Sequence, residues 1–167
     1  MSILFHNRAK DWFAKNVRVR SFVNNADLQN KWIMEGVKCV VNVSSDYDEA
    51  VCTQLLQMGI AYFWFPMSEQ NENMGLHSIY GALKVLQPYI DRKDAVIIHC
   101  FGGNNRSKVI YESLFYLNFD SWPNNNSDSK NEINCMEGHL PNEKHYLSFL
   151  QNIKVGKTLD DCLKFLK

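Results

Sequence analysis

The sequence of 167 residues lacks a long hydrophobic run, a surplus of either charge and any paired cysteine pattern. Without a run of about 18 apolar residues, no segment is expected to span a membrane. The first residues also lack the basic region and apolar stretch of a signal peptide. We therefore expect a cytoplasmic protein without a membrane partner.

The balance of positive and negative residues disfavours some classes of binding partner. Lysine and arginine together number 18, as do aspartate and glutamate, so the formal net charge is zero. A general nucleic-acid-binding protein needs a basic footprint to displace counterions, so we expect no nucleic-acid partner. Apolar content is 46% and charged content 22%, which is ordinary for a globular protein. This length fits one domain, residues 1–167, with its own core.

The cysteines occur singly in the sequence. They are Cys39, Cys52, Cys100, Cys135 and Cys162. An odd number without a CxxC pair is a poor disulfide framework and a poor zinc site, which favours a reducing compartment. Cys135 with His139 and His145 comes nearest to a metal site, but a fourth ligand at the usual spacing is missing. We therefore expect no metal and no other cofactor.

Strand and helix patterns alternate along the chain. Strands are predicted where β-branched or alternating apolar residues occur, at Val17–Phe22, Val37–Val43, Ile60–Phe65 and Ala95–Ile98. Helices are predicted in six segments. The first ends at Gly36, the second runs from a cap at Ser44, Ser45 or Asp46 to Met58, and the third is Leu76–Ile90. The fourth follows the loop after Ile98 and ends at about Leu117, and the last two begin at Pro141 and Thr158. This alternation predicts an α/β fold with a central, mainly parallel sheet flanked by helices.

A polar segment interrupts this pattern late in the chain. From Asn118 onward asparagine and serine predominate, and apolar residues are few apart from Phe119 and Trp122. Such a composition does not supply a packed core. It predicts a long loop or insertion at about residues 118–138.

The stretch from Ala95 to Leu117 joins a buried strand, a small-residue loop and an amphipathic helix. Within it, Cys100 and Arg106 are separated by five residues, with His99 before the cysteine and Ser107 after the arginine. In a parallel α/β sheet, the site lies outside the carboxyl ends of the strands, where this loop falls. The sequence therefore predicts the functional site here.

The loop has the composition of an anion cradle. Its two glycines permit the backbone angles and close approach that gather several N–H groups around one point. The helix from Arg106 directs its positive end into the same space, and the guanidinium can hold two oxygens at once. The residues expected to bind a phosphate are Phe101, Gly102, Gly103, Asn104, Asn105 and Arg106.

Cys100 is expected at the base of this cradle. The loop amides, the helix terminus and the guanidinium all favour a thiolate, and cysteines in comparable settings have pKa values of about 3.5 to 7.5. A thiolate facing a bound phosphate is placed for in-line attack on phosphorus. Ser107 is expected to donate a hydrogen bond that helps the thiolate leave again, and His99 is expected to shape the loop. The alternative, an inert buried cysteine, does not account for the complete string His-Cys-x-x-Gly-x-x-Arg-Ser.

This string resembles the signature of the cysteine-dependent protein-tyrosine phosphatases, and the short chain is most similar to their dual-specificity branch. The resemblance follows the order of elements from Val17 to Leu117, is sharpest over Val96–Ser107, and fades at the polar segment. It implies the dual-specificity phosphatase fold and a phosphocysteine mechanism. It also implies Cys100 as nucleophile, Arg106 as phosphate clamp and residues 101–105 as the amide cradle.

The resemblance further implies a proton donor on a separate loop, an aspartate in a Pro-x-x-Asp sequence about thirty residues before the cysteine. Here Pro66 is followed by Glu69, which lies 31 residues before Cys100. Glutamate has the right chemistry with one more methylene, and a misplacement of about 1 Å can cost roughly a hundredfold in rate. Glu72, Asp46 or a residue of the polar segment are alternative donors. A slow enzyme without a positioned acid is the third possibility.

The loop also bears on the substrate. It contains no lysine, which disfavours a highly charged inositol headgroup and favours phosphotyrosine or phosphoserine/threonine in a phosphorylated protein or peptide. Aromatic side chains that can wall a phosphotyrosine pocket are Tyr47, Tyr62, Trp64 and Trp122, although such residues more often belong to a core. An RNA 5′-phosphate is disfavoured because the chain has no basic stripe.

Other functions use a similar loop. A phosphate-reading pseudophosphatase, which binds phosphorylated partners with little turnover, is the main alternative because the aspartate is replaced. Rhodanese-like sulfur transfer and arsenate reduction also use a cradle cysteine. Arsenate reduction needs partner cysteines, and none is adjacent to Cys100 in the sequence.

Overall fold

The structure is a computed structural model of the chain, and it describes residues 3–20, 34–68, 75–100, 106–123 and 140–166. The strands are β1 (Val17–Arg20), β2 (Val37–Asn42), β3 (Ala61–Trp64) and β4 (Ala95–His99). The helices are α1 (Ile3–Asn16), α2 (Glu49–Gln57), α3 (Leu76–Asp91), α4 (Arg106–Phe119), α5 (Glu143–Lys154) and α6 (Leu159–Cys162), followed by a 3-10 helix at Lys164–Leu166.

The strands form one sheet in the order β1-β4-β2-β3, and each of these pairings is parallel. β4 lies between β1 and β2, and all five of its residues are buried. A strand covered on both faces is apolar throughout, which explains the run Ala-Val-Ile-Ile. The predicted α/β fold with a central parallel sheet flanked by helices is confirmed.

Alternate side chains of the strands enter two separate cores. Val41 and Ile98 belong to the larger core, which α1, α3, α4 and α5 cover. Val40 and Ile97 point to the opposite face, where Leu55 of α2 packs on them. This two-sided packing follows from the two-residue side-chain period of a strand. It holds the carboxyl ends of the strands together at one edge of the sheet.

Helix α4 joins this core to the loop after β4. Most of its residues are buried, and Ser113 forms a 2.6 Å hydrogen bond with the hydroxyl of Tyr146 on α5. Burial also raises the pKa of Tyr146 above its usual value. A neutral hydroxyl pair of this kind satisfies both groups inside the core. The first turn of α4, which carries Arg106 and Ser107, is therefore connected to a well-packed helix.

Helix α1 is not predicted by the sequence patterns, which place no element before Val17. Its apolar periodicity is weak, and tertiary contacts of Phe13 hold it in place. Phe13 is 1% exposed and packs edge-on against Phe115 and Phe119 of α4, with ring centroids 5.4 Å and 5.6 Å apart. Aromatic contacts of this geometry add to the stabilisation from buried area.

Several predicted boundaries differ from the structure. Helix α2 is capped by Asp48, whose carboxylate accepts from the Val51 N–H at 3.0 Å, and not by Ser44, Ser45 or Asp46. Helix α4 continues through Phe119, so the first residues of the predicted polar loop are helical. Residues 124–139 lie outside the described part of the chain, as does most of the helix predicted before Gly36.

Two further predictions concern membranes and metals. No helix in the described ranges is long and apolar enough to cross a bilayer. Of the three candidate metal ligands, Cys135 and His139 lie outside the described residues, and His145 stacks on Phe165 with ring centroids 5.2 Å apart. The described part of the chain holds no group of three or more histidine, cysteine or acidic side chains that could bind a metal.

Candidate active site

Cys100 lies directly after the central strand β4, at the carboxyl edge of the sheet. Its side chain is 1% exposed, and its backbone N–H donates to the carbonyl of Arg20 in β1 at 3.3 Å. The sheet therefore fixes the backbone of Cys100 on one side. Six residues later, Arg106 begins α4. The structure thus places the predicted nucleophile and the predicted phosphate clamp on two rigid elements that meet at this edge.

Ser107 is a polar partner of the Cys100 side chain. Its Oγ lies 3.4 Å from the Cys100 Sγ, and the serine is completely buried. A hydroxyl at this distance can donate to a thiolate, which is a better acceptor than a thiol. The structure therefore brings Cys100 and Ser107 together as the sequence predicts.

Arg106 is held by the loops that follow two other strands. Its Nη1 donates to the Ser45 hydroxyl at 3.2 Å and to the Met67 carbonyl at 2.9 Å. Ser45 follows β2, and Met67 follows β3. The guanidinium therefore links the carboxyl ends of β2 and β3 to the start of α4. Two bonds from a planar group fix its orientation, which a bidentate phosphate contact requires.

The loop after β2 is organised by Asn42, which is 1% exposed. Its Oδ1 accepts from the Ser44 N–H at 2.8 Å and from the Ser44 hydroxyl at 2.7 Å. Its Nδ2 donates to the Asp46 carbonyl and to the Tyr62 hydroxyl, both at 2.9 Å. This buried amide thus makes four hydrogen bonds, which is its full capacity. The result is a fixed loop that presents Ser45 to Arg106.

The loop after β3 is also tied to the sheet. The N–H of Phe65 donates to the Asn42 carbonyl at 2.9 Å, and the N–H of Met67 donates to the Val43 carbonyl at 3.1 Å. Met67 is fully buried, and the Ser78 hydroxyl of α3 donates to the Pro66 carbonyl at 2.6 Å. The backbone just before the predicted acid is therefore held in place.

The predicted acids and the predicted cradle differ in whether the structure describes them. Glu69, Glu72 and the cradle residues 101–105 lie outside the described ranges, so their roles stay predictions. The alternative acid Asp46 is described, and it is exposed on the loop after β2. Its backbone carbonyl accepts from Asn42 and from Ser44.

His99 is the last residue of β4 and is 2% exposed. Its Nδ1 donates to the Cys100 carbonyl at 3.4 Å, and its ring stacks on Tyr62 with centroids 6.4 Å apart. Burial lowers the pKa of His99 below its ordinary value of 6.5, so the neutral ring predominates at pH 7. The burial of His99 and its bond to the Cys100 carbonyl fit the predicted supporting role, which stays a prediction.

Three of the four aromatic residues proposed for a pocket wall lie together. Tyr47 lies 6.1 Å from Tyr62 and 5.5 Å from Trp64, measured between ring centroids. Trp122, in contrast, packs on Tyr116 at 4.7 Å. Tyr116 lies about 15 Å along α4 from Arg106 at the ordinary rise per residue. The structure therefore places Trp122 against α4 and apart from the cluster that the other three form, and its role in a pocket wall stays a prediction.

Sequence reasoning does not find Asn42 as a part of the site, and it considers Ser45 only as a helix cap. The available signal is the polar run Asn42-Val43-Ser44-Ser45 at the carboxyl end of an apolar strand. Ligand sites of parallel sheets occur at such ends. No sequence pattern indicates that the Met67 carbonyl binds Arg106, because any residue at that position supplies the same backbone acceptor.

A cavity of about 350 Å³ lies elsewhere, between α3, α4 and α5. The residues that line it are Leu83, Lys84, Gln87, Pro88, Asp91, Leu117, Ile153, Lys154 and Gly156. The lining residues from α3 and α4 lie in the later turns of these helices, and the others belong to the end of α5 or follow it. The cavity is therefore separate from the candidate active site.

No protein-family model and no curated protein sequence matches the chain. Solved structures do match. PTPMT1 has 12% identity and a TM-score of 0.58, over 86% of this chain and 92% of that one. Tk-PTP in its active form has 13% identity and a TM-score of 0.54, over 84% and 92%. The core catalytic domain of the PP-IP phosphatase Siw14 from S. cerevisiae has 15% identity and a TM-score of 0.51, over 83% and 89%.

Structural matches at identities this low show that the fold is shared, but they do not show that the substrate is shared. The predicted similarity to the cysteine-dependent phosphatases is confirmed at the level of the fold, because these matching structures are phosphatases of that class and the match covers most of each chain. The chain therefore has the α/β fold of the protein-tyrosine-phosphatase-like, cysteine-dependent phosphatases.

Proposed function

We propose that the chain is a metal-independent phosphatase that hydrolyses phosphate monoesters of proteins or peptides through a phosphocysteine on Cys100. The observation that supports it best is the arrangement of three residues at the carboxyl edge. Cys100 Sγ contacts the Ser107 hydroxyl, and the guanidinium of Arg106, the residue before Ser107, is oriented by Ser45 and Met67. Phosphoryl transfer needs a nucleophile and an oriented cation, and the start of α4 holds the partners of both.

In the first proposed step, the Cys100 thiolate attacks phosphorus in line with the ester oxygen. The S–P bond forms as the P–O bond to the leaving group breaks. A carboxylic acid, proposed to be Glu69, gives its proton to the departing oxygen. Arg106 and the amides of residues 101–105 bind the three equatorial oxygens, where the transition-state charge is spread.

In the second proposed step, water attacks the phosphocysteine. The carboxylate that gave up its proton now accepts one from the water, the new P–O bond forms and the S–P bond breaks. Cys100 leaves as a thiolate. The Ser107 hydroxyl, 3.4 Å from the sulfur, stabilises that charge by donating a hydrogen bond.

Protein or peptide phosphomonoesters fit the chain better than polyphosphates. The loop Phe101-Gly102-Gly103-Asn104-Asn105 carries no lysine to neutralise additional phosphate groups. Siw14, which shares the fold, is a PP-IP phosphatase. Because the two sequences are only 15% identical, this structural match does not assign the substrate of Siw14 to the chain. We propose phosphotyrosine, phosphoserine or phosphothreonine as the reacting group.

A phosphate-reading protein with little turnover is the second candidate. The observation that favours it is glutamate at the position where the related signature has aspartate. Without an acid at the right distance, an alkyl or aryl oxygen leaves slowly, whereas Cys100 and Arg106 still form a phosphate site. This candidate predicts tight binding of phosphopeptides without their hydrolysis.

Hydrolysis of p-nitrophenyl phosphate in EDTA tests the proposal. We expect turnover by the wild type and its loss in Cys100→Ser, because a serine hydroxyl is not ionised at neutral pH. Cys162→Ser is the matched control, since Cys162 donates to the Lys157 carbonyl and a hydroxyl can do the same. Wild-type turnover by Cys100→Ser would exclude the mechanism. Phosphopeptide binding without turnover by the wild type would favour the phosphate reader.

A further inference from the structure

Two large aromatic side chains remain exposed beside the candidate active site. Tyr47 is 48% exposed and Trp64 is 41% exposed, and their ring centroids are 5.5 Å apart. Single exposed aromatic residues are common on protein surfaces. Neighbouring ones form a patch, and such patches mark sites of interaction.

A hydrogen bond and ring contacts hold the two rings in position. Trp64 Nε1 donates to the Ser44 carbonyl at 2.9 Å. The Tyr47 ring packs against Trp64 and Tyr62, with centroids 5.5 Å and 6.1 Å apart. The rings are therefore preorganised, and a ligand that stacks on them does not have to order them first.

This pair lies close to the proposed phosphate site. Ser45, whose hydroxyl accepts from Arg106, comes two residues before Tyr47. Two residues span at most about 8 Å between Cα atoms. An extended peptide advances by roughly 3.4 Å per residue. If its phosphate is bound at Arg106, the residues that reach this surface are therefore about two or three positions from the phosphorylated residue.

The charged residues next to Tyr47 in the sequence are acidic. Asp46 and Glu49 are exposed on either side of Tyr47, and Asp48 between them caps α2. The sequence between Lys38 and Lys84 contains no lysine or arginine. Its carboxylates are Asp46, Asp48, Glu49, Glu69 and Glu72. In a chain with zero net charge, this is a marked local excess of one sign.

We propose that Tyr47, Trp64, Asp46 and Glu49, here called the aromatic–acidic surface, bind an arginine or lysine that flanks the phosphorylated residue of a peptide. This inference rests on the proposed function. Aromatic faces attract a cation, and carboxylates form charge-assisted hydrogen bonds with it. The same surface repels substrates that carry several phosphates. It therefore selects basic phosphopeptides over acidic ones and over polyphosphates.

The test compares two phosphotyrosine peptides that differ only in the flanking residues, two arginines in one and two glutamates in the other. The ratio of kcat/KM for the two peptides is measured in wild type, Tyr47→Leu and the double variant Asp46→Asn, Glu49→Gln. Because a ratio within one variant cancels a general loss of catalysis, it isolates recognition of the flanking residues. The matched control removes two exposed carboxylates elsewhere, Glu143→Gln with Asp160→Asn.

We expect the wild type to prefer the arginine peptide by about tenfold, and each surface variant to reduce that preference by about threefold or more. Higher ionic strength is expected to reduce it as well. A wild-type preference for the glutamate peptide, or no preference, would overturn the inference. So would an equal loss in the Glu143→Gln, Asp160→Asn control, because the effect would then be one of net charge.

The proposed function is checked separately in the same assay. If the wild type hydrolyses p-nitrophenyl phosphate but does not distinguish the peptides, the inference fails and the proposed function stands. If neither peptide is hydrolysed, the dissociation constants of both peptides for the wild type replace kcat/KM. If the arginine peptide binds tenfold more tightly than the glutamate peptide, and Tyr47→Leu weakens that binding, the result would support the aromatic–acidic surface on a phosphate reader. Equal affinities for the two peptides would overturn the inference.

Discussion

The Sγ atom of Cys100 lies 3.4 Å from the Oγ atom of Ser107, and both side chains are buried at the junction of β4 and α4. The sheet fixes one partner through Arg20, and the packed helix α4 fixes the other. The contact is thus held from both sides by packed elements. It therefore connects the fold directly to the proposed reaction.

Replacing Ser107 with alanine is expected to slow the second step more than the first. The variant keeps the nucleophile but removes the hydroxyl that stabilises the departing thiolate. We expect kcat to fall about tenfold to a hundredfold, in the range of one charge-assisted hydrogen bond. Rapid-mixing measurements with p-nitrophenyl phosphate should then show a burst of nitrophenol before the slow steady state.

The control is Ser113→Ala, which removes another buried serine of α4. That hydroxyl bonds to Tyr146, so its loss should lower stability without producing a burst. A burst in both variants, or in neither, would contradict the role assigned to Ser107.

Asn42 is expected to act on Arg106 through the loop that it organises. Asn42→Ala removes four hydrogen bonds and leaves buried partners unsatisfied, so we expect a loss of about 2 kcal/mol in the free energy of unfolding. Because Ser45 then shifts relative to Arg106, kcat/KM for p-nitrophenyl phosphate should also fall, roughly tenfold or more. Urea denaturation and steady-state kinetics measure the two effects.

Asn118→Ala provides the comparison for Asn42. Asn118 exchanges two 2.9 Å hydrogen bonds with Gln87 and donates to the Leu114 carbonyl, far from Cys100 along α4. This variant should lose stability but keep kcat/KM. Equal catalytic losses in both variants would show that Asn42 acts through stability alone.

Glu69, predicted as the proton donor, has a distinctive kinetic consequence. Glu69→Gln should reduce hydrolysis of a phosphotyrosine peptide more than that of p-nitrophenyl phosphate, because nitrophenolate leaves with less help from a proton. The loss for the peptide should be about a hundredfold. Asp46→Asn and Glu72→Gln test the alternative donors in the same assay. Equal losses for both substrates would contradict an acid role for Glu69.

His99 is expected to make the fold sensitive to acid. Burial lowers its pKa below 6.5, so the unfolded chain binds a proton on this residue at a higher pH than the folded chain does. The free energy of unfolding should therefore decrease as the pH falls below about 6.5 and continue to decrease until the folded-state pKa is passed.

Urea titrations between pH 7 and pH 5 measure this dependence. His99→Gln should flatten the decrease, and His77→Gln, which removes an exposed histidine, is the control. An unchanged slope in His99→Gln would contradict the buried, neutral state of this imidazole.

Sequence patterns predict those parts of the fold that local composition determines. The β-branched run around Val40 predicts a strand buried on both faces, and the spacing of Leu76, Ile79 and Leu83 predicts α3. The position of Cys100 between strand and helix follows from the same signals. Helix α1 lacks such a pattern, because a single fully buried ring, Phe13, anchors it among the residues with described side chains.

The remaining parts of the site depend on contacts between distant segments. Asn42 and Tyr62 are 20 positions apart, and Arg106 and Ser45 are 61 positions apart. No local pattern encodes these pairs. Trp122 shows the same limit, since an aromatic residue in a polar segment can pack on any neighbouring helix. The position of a site that lies in a contiguous string is therefore predictable, whereas the residues that orient its side chains become evident only in the folded chain.

The central claim is that phosphate passes through a covalent bond to Cys100. Denaturant quench of the Ser107→Ala variant during turnover, followed by mass spectrometry of its peptides, tests this claim most directly. We predict one added phosphoryl group on the peptide that contains Cys100, and none in the Cys100→Ser, Ser107→Ala double variant. A phosphoryl group on another residue, or steady turnover by the double variant, would contradict it.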